Sequence, residues 1–304
     1  MSNVLLGTAV GDALGVPFEK FAFDRKELKE WDGKTYLGSA HHKLLPGQYS
    51  DDTQMSLMVA ESLIENKGFN PDDLSKRYVH WITSGIARGY GRTTLAALQK
   101  IESGTHWSES GVVGSYGNGT AMRAAPFGIF FRNDLQALKE AVIIDNKITH
   151  NSDEAEAGAL AIAIAAYMCV NGDTENLNAR VAEHLPKTKI KSLLIAMETV
   201  LKLPVTPMQV LQTFGTKADV RETVPSAMFC FSKFGDAHSA ILAAIRAGGD
   251  TDTTAAIVGA LFGANNNLDS IPEEALMQVE GRDKLIELDS QLLNRDNISF
   301  FRSS

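Results

Sequence analysis

Asn3-Val4-Leu5-Leu6-Gly7-Thr8-Ala9-Val10-Gly11-Asp12-Ala13-Leu14-Gly15-Val16-Pro17-Phe18 carries the apolar rhythm of a helix. Gly7, Gly11 and Gly15 break that rhythm at every fourth position and share one stripe. Each interior glycine costs a helix roughly 1 kcal/mol relative to alanine, so three in register imply a neighbour pressed close against the backbone. Close packing of a second helix is the plainer account. Asp12 sits among the glycines, and Glu19 follows Pro17 and Phe18 where the helix should end. Carboxylates there belong to the surface unless the fold carries them to a functional centre.

A partner stretch lies near the other end of the chain. Ala247-Gly248-Gly249-Asp250-Thr251-Asp252-Thr253-Thr254 runs into the apolar segment from Ala255 to Phe262. Two glycines permit a sharp turn, and two carboxylates one residue apart supply hard anionic oxygens beside threonine hydroxyls at a helix start. Such a cluster can be an over-capped first turn or a divalent-cation site. Ser50-Asp51-Asp52-Thr53-Gln54 repeats the pattern ahead of another helical stripe of Met55, Met58, Val59, Ser62 and Leu63. Two acidic helix starts so far apart need not resemble each other as caps, but they could converge on one pair of metal ions.

The rest of the chain is also read as helix. Asn70-Pro71-Asp72-Asp73 is an N-cap with proline at the first helical position. Asp134 to Thr149 is helical, and Asn151 with Glu154 reads as a capping box ahead of a buried helix from Ala155 to Val170. Later periodic segments are separated by Pro186, Pro204, Pro207 and Pro225 at the seams, and the last helix runs through Leu285 and Leu292 to a frayed end. Strict alternation and strand-helix-strand rhythm are not found, so the expectation is one all-α domain over residues 1–304. Lys20 to Gln48 is the longest irregular region, with a short helix around Asp24 to Trp31; loops this long tend to be lids or binding loops. His41 and His42 within it invite a metal reading, but adjacent histidines on a loop are more often solvated, and that is the expectation here.

The 304 residues carry 29 basic and 37 acidic side chains, net −8, which argues against non-specific attachment to nucleic acid or anionic membrane. Two cysteines do not make a disulfide framework. The longest uncharged apolar run, Ala157 to Val170, is about fourteen residues, short of the roughly eighteen a span needs. With no basic, apolar leader at Met1-Ser2-Asn3-Val4, the expectation is a cytoplasmic protein.

Two glycine turns could bind anions. Gly89-Tyr90-Gly91 precedes a helix from Leu95 to Glu102, and Gly114-Ser115-Tyr116-Gly117-Asn118-Gly119 reads as too flexible and polar for core, leading into a small-residue helix. Backbone amides at such helix starts suit a phosphate, and Tyr116 offers a ring for stacking a base. His150, beside a helix N-terminus, could share that phosphate.

Taken in order, Gly11-Asp12-Ala13-Leu14-Gly15 with Glu19, Ser50-Asp51-Asp52-Thr53, Gly89-Tyr90-Gly91, Gly117-Asn118-Gly119 with Met122-Arg123, Thr149-His150 and Gly248-Gly249-Asp250-Thr251-Asp252-Thr253 resemble the ADP-ribosylhydrolase (ADP-ribosylglycohydrolase) family, which includes the dinitrogenase-reductase-activating glycohydrolases. The resemblance implies an all-α orthogonal helical bundle that hydrolyses the glycosidic bond between ADP-ribose and an acceptor, a protein side chain or a small molecule. It implies two Mg2+ or Mn2+ ions held by Ser50, Asp51, Asp52, Asp250, Asp252 and Thr253. Glu19 would stand beside them as ligand, gate or proton acceptor, and with Asp52 would be catalytic. Gly89, Gly91, Ser115, Tyr116, Gly117, Asn118, Gly119 and His150 would bind the ADP-ribose. Carboxylate-rich ligation suits hard cations rather than zinc. The expected partner is an ADP-ribosylated protein or ADP-ribose conjugate, met by a monomer. Two departures stand out: Ser50 where threonine is common, and no acidic side chain near Gly89-Tyr90-Gly91, where arginine-directed relatives carry one. A non-catalytic ADP-ribose-binding module and a two-metal phosphoesterase cutting the diphosphate are the alternatives.

Overall fold

The computed structural model describes residues 2–23 and 25–294. Its helices are α1 (Val4–Gly15), extended by a 3-10 turn over Val16–Phe18, α2 (Lys26–Glu30), α3 (Asp51–Glu65), α4 (Pro71–Thr83), α5 (Arg92–Glu102), α6 (Trp107–Ser110), α7 (Ala125–Phe130), α8 (Leu135–Thr149), α9 (Asp153–Val170), α10 (Leu177–Glu183), α11 (Lys189–Val200), α12 (Pro207–Phe214), α13 (Val220–Lys233), α14 (Ala237–Arg246), α15 (Thr251–Ala264), α16 (Glu273–Gln278) and α17 (Arg282–Leu293). The fold is all-α, as expected. Among the described residues the strands are β1 (Val112–Val113) and β2 (His150–Asn151), paired in parallel with Val112 opposite His150. No helix among them is long and apolar enough to cross a membrane.

The glycine stripe of α1 does what its spacing predicts. A Cβ on Gly7 would lie 2.1 Å from the carbonyl oxygen of Gly259, one on Gly11 2.1 Å from that of Ala255, and one on Gly15 2.5 Å from that of Thr251. As α1 advances, its contacts move backward along α15, so the two helices run antiparallel with their backbones touching. Gly259 and Gly263 return the fit, meeting the carbonyl oxygens of Gly7 and Asn3. Every residue of both helices is buried. α9 is the second buried rod, and Gly128 of α7 lies against it, where a Cβ would come within 2.4 Å of the Ala163 carbonyl oxygen.

Local readings differ from the structure in four places. Ser152, not Asn151, caps α9, accepting from Ala155 N at 3.2 Å. Glu154 turns outward instead and caps α11, accepting the backbone N–H groups of Lys189 at 2.7 Å and Ile190 at 3.3 Å. Pro225 lies inside α13, not at a seam, because Asp219 starts that helix by accepting from Arg221 N. The stretch after Gly119 passes through turns before α7 begins at Ala125, and Asn118, Gly119 and Thr120 are buried rather than loose. In the irregular region α2 is shorter than anticipated; Asp24 and the expected frayed end beyond Asn294 fall outside the described residues.

Candidate active site

The amino ends of α3 and α15 open onto one cleft. Neither acidic cluster caps its own helix: the N-cap residues Ser50 and Asp250 make no side-chain capping hydrogen bond. For α3 the cap comes from another helix. Asp12, on α1, accepts Ser50 N at 2.9 Å and Ser50 Oγ at 2.8 Å through one oxygen, and Thr53 N at 3.0 Å and Thr53 Oγ1 at 2.7 Å through the other. This fastens α3 to α1 and frees Asp51 and Asp52 from capping. Ser50 Oγ also lies 3.0 Å from Asp52 Oδ2.

The α15 side is set by the paired glycines. Gly248 and Gly249 have φ of 74° and 79°, where a side chain is strained. Close approach makes the same demand, since a Cβ on Gly249 would stand 2.3 Å from the Thr216 carbonyl oxygen. Gly249 accepts Lys20 N at 2.6 Å and donates to the Phe21 carbonyl at 2.8 Å, so the corner carrying Glu19 is laced to the turn carrying Asp250. Asn118 Nδ2 donates to Asp250 Oδ2 and lies 3.0 Å from Thr223 Oγ1.

Burial dominates the electrostatics. Asp51, Asp52 and Asp252 are pushed well above the ordinary carboxylate range, first by loss of water and then by neighbouring carboxylates, Asp12 and Asp250 among them. Asp12 and Asp250 are raised by burial too, against the pull of their hydrogen bonds. The hydrogen bond between Asp250 and Asp252 lowers the first and raises the second, though burial leaves both above their ordinary range. Glu19 behaves oppositely: burial raises it, but hydrogen bonds and charge from His42 and Lys20 outweigh that and hold it below its ordinary value.

The opposite wall is organised by a buried arginine. Arg123 donates from Nε to Asp145 at 2.9 Å and from its terminal nitrogens to the Gly119 carbonyl at 3.3 Å and Thr149 Oγ1 at 3.0 Å. Thr149 Oγ1 is 2.9 Å from His150 Nδ1. Burial, then the Arg123 charge, pulls His150 down to about 3, so its ring is neutral. With Arg123 donating to Thr149 Oγ1, the hydroxyl hydrogen is free to be given to Nδ1, an arrangement in which the imidazole hydrogen sits on Nε2. That nitrogen lies under Gly117, whose added Cβ would be 2.8 Å away. The β1–β2 pairing and the Gly117–Asp219 bridge hold this loop in place.

A cavity of about 480 Å³ is lined by Glu19, Asp51, Asp52, Gly89, Gly91, Gly117, Asn118, Gly119, His150, Asp250, Asp252 and Thr253, so residues from both ends of the chain meet there. Ser50, Ser115 and Tyr116 do not line it. Ser50 is wholly buried behind the aspartates, and Ser115 Oγ is 3.1 Å from Thr93 Oγ1. Tyr116 is exposed, with the Arg221 guanidinium 3.8 Å from its ring centre, so a cation already covers one face of that ring. Sequence reading assigned no role to Asp12, and missed Lys20, His42 and Arg92, which line the cleft with Tyr90 and Thr94. His42 is not solvated as expected: its side chain is 12 % exposed and is hydrogen-bonded to Glu19. The one signal for Asp12 was a carboxylate on an otherwise apolar, glycine-striped helix.

The donor set fits divalent cations. Asp52 Oδ1 and Asp252 Oδ1 are buried without a hydrogen-bond partner, among the described residues, and oxygens of Asp12, Asp52 and Asp252 lie within 4.8 Å of one another. Unpartnered buried carboxylate oxygens are costly unless a cation or proton meets them. Carboxylates with Thr253 nearby form a hard, all-oxygen set.

Residues 2–299 match the profile of the ADP-ribosylglycohydrolase family. The chain is 30% identical over 295 residues to a protein of unassigned function from Archaeoglobus fulgidus, covering 95% of this chain and 94% of that one. It is 28% identical to the ADP-ribosylhydrolase ARH3 of Danio rerio, covering 95% and 89% of the two chains. Against the ADP-ribosylarginine hydrolase Tri1 of Pseudomonas putida identity is 26%, covering 96% and 77%. Among solved structures, a chain of an ADP-ribosylglycohydrolase-related protein complex superposes with a TM-score of 0.74 at 26% identity, covering 96% of each chain.

Proposed function

The chain belongs to the ADP-ribosylglycohydrolase family, and from that membership and the acid-lined cleft we propose that it hydrolyses the glycosidic bond joining ADP-ribose to an acceptor. The observation that carries this reading is the meeting of Asp52 and Asp252, each with an unpartnered buried oxygen, in a cleft that also holds Glu19 and His150. We read residues 1–304 as one domain serving that cleft.

Asp51, Asp52, Asp250, Asp252 and Thr253 would hold two Mg2+ or Mn2+ ions, with Ser50 steadying Asp52 from behind. Such ions supply Lewis acidity toward ribose hydroxyls and water. The diphosphate would lie along the amino end of α5, where the first-turn N–H groups have no intrahelical acceptor and Arg92 adds charge. His150, neutral and with its hydrogen on Nε2, would donate to an anionic oxygen beneath Gly117 and Gly119. Their missing side chains let the ligand approach the backbone. Water adds to the anomeric carbon as the bond to the acceptor breaks through an oxocarbenium-like state; the acceptor leaves with the bonding pair and takes up a proton, balancing the one the water loses, to give ADP-ribose and free acceptor. Glu19, kept ionised by His42 and Lys20, is suited to take the proton from that water.

The test offers arginine-, serine- and acyl-linked ADP-ribose to the protein with Mg2+ or with EDTA. Release of free ADP-ribose that EDTA and Asp252→Ala both abolish supports the reading. AMP and ribose phosphate as the products would transfer the chemistry to the diphosphate, and tight ADP-ribose binding without turnover of any conjugate would leave a binding module.

A further inference from the structure

His41 is not used by the reaction just described and His42 enters it only by keeping Glu19 ionised, yet the fold builds an element to present both. Ser39 and Leu44 exchange backbone hydrogen bonds of 2.9 Å in each direction, closing a hairpin whose tip is Ala40-His41-His42-Lys43. Lys43 completes the turn with φ of 56°. The tip faces the corner after α1. His42 Nε2 is bonded to Glu19 Oε2, the two rings stand 4.5 Å apart edge to face, and one ligating atom each from Glu19, His41 and His42 falls within 4.8 Å of the others.

The centre of this group already attracts a cation. Lys20 Nζ lies 2.6 Å from His41 Nε2 and 3.4 Å from Glu19 Oε1. Its side chain is 63 % exposed, so the ammonium can swing into solvent without being buried elsewhere. Removing it leaves two imidazoles and one carboxylate, open to water on the His41 side. That is a donor set for a borderline transition metal such as Zn2+, with a fourth position for solvent. The aspartate cluster offers only oxygen and suits hard ions, so the two neighbouring sites differ in ligand softness.

We propose that Glu19, His41 and His42 form a transition-metal site separate from the aspartate cluster, and that filling it pins Glu19 to the hairpin and stops turnover. The inhibitory half rests on the reading of Glu19 as proton acceptor; the binding half does not. The probe is Co2+ added to metal-free protein in excess Mg2+, which keeps the aspartates occupied. Expected is a visible d–d spectrum that saturates at about one equivalent, is bleached by Zn2+ and lacks the strong near-ultraviolet band of a thiolate ligand. His41→Gln should weaken Co2+ binding by roughly 10- to 100-fold or more, as loss of a ligand should at least match loss of a ligand's support. It should also relieve Zn2+ inhibition of Mg2+-supported hydrolysis, with turnover in Mg2+ alone unchanged. A Co2+ spectrum unaltered in both His41→Gln and His42→Gln would overturn the site. Zn2+ inhibition that persists in His41→Gln after the spectrum is lost would overturn the pinning. If no conjugate is hydrolysed at all, the spectrum still decides the site.

Discussion

Asp12 on α1 accepts the backbone N–H of Thr53 at 3.0 Å, so a helix near the start of the chain caps the helix that carries Asp51 and Asp52. That contact sets where one half of the acidic cluster stands. Asp12→Ala would leave the N–H and hydroxyl groups of Ser50 and Thr53 without their buried acceptor. The expected loss is about 2 to 4 kcal/mol in urea unfolding, together with loss of ADP-ribose release. Unchanged stability would mean that water or a neighbour replaces the carboxylate.

The contact between α1 and α15 has no room for one methyl group. Gly11→Ala places a Cβ 2.1 Å from a carbonyl oxygen, and backbone on both sides must move. Destabilisation by about 3 kcal/mol or more, or failure to accumulate as soluble protein, is the expected outcome. Gly68→Ala, with nothing within 4 Å, is the control and should stay within about 0.5 kcal/mol.

Removal of divalent ions should expose the price of crowding carboxylates. Asp51, Asp52 and Asp252 are held above their ordinary range by burial and mutual repulsion, so the folded chain binds more protons than the unfolded one. In EDTA, stability from these groups is therefore greatest below the unfolded carboxylate range and falls as pH rises through the raised folded values. Thermal melts should show a Mg2+-induced rise in Tm that is larger at pH 8 than at pH 5.5. Equal rises at both pH values would argue against ligation by these acids.

Thr149→Val keeps the shape of the side chain and deletes the hydroxyl between Arg123 and His150. Nitrogen-15 spectra of the wild type should show a neutral His150 with hydrogen on Nε2 across pH 5–8, consistent with its fall to about 3. The variant should lose that single tautomer and bind ADP-ribose about 10- to 100-fold more weakly, the worth of one hydrogen bond to a charged group. A variant spectrum identical to the wild type would show that Thr149 does not set the tautomer.

Much of this architecture is written locally in the chain. The helices follow from apolar periodicity and from caps such as Asn70, which accepts from Asp72 N and Asp73 N as its place before Pro71 predicts. The two acidic helix starts were legible because each is a contiguous cluster. What was hidden depends on partners far off in sequence. Asp12 has no local signature, because its role is defined by Ser50 and Thr53. Glu154 looks like half of a capping box until Lys189 and Ile190 take its oxygens. His42 looks like a loop residue until the hairpin turns it toward Glu19, and Tyr116 looks free to stack until Arg221 covers one face.

The glycine seam between α1 and α15 has a last consequence for ion selection. Two rods in backbone contact cannot slide together or apart by side-chain rearrangement, and Asp12 fastens α3 to α1, so the spacing between the acids of α3 and those of α15 is fixed before any ion arrives. Metal-free and loaded forms should then superpose closely at these two helices. Discrimination between Mg2+ and larger ions would come from a gauge of fixed width, with the Glu19 corner left as the adjustable part.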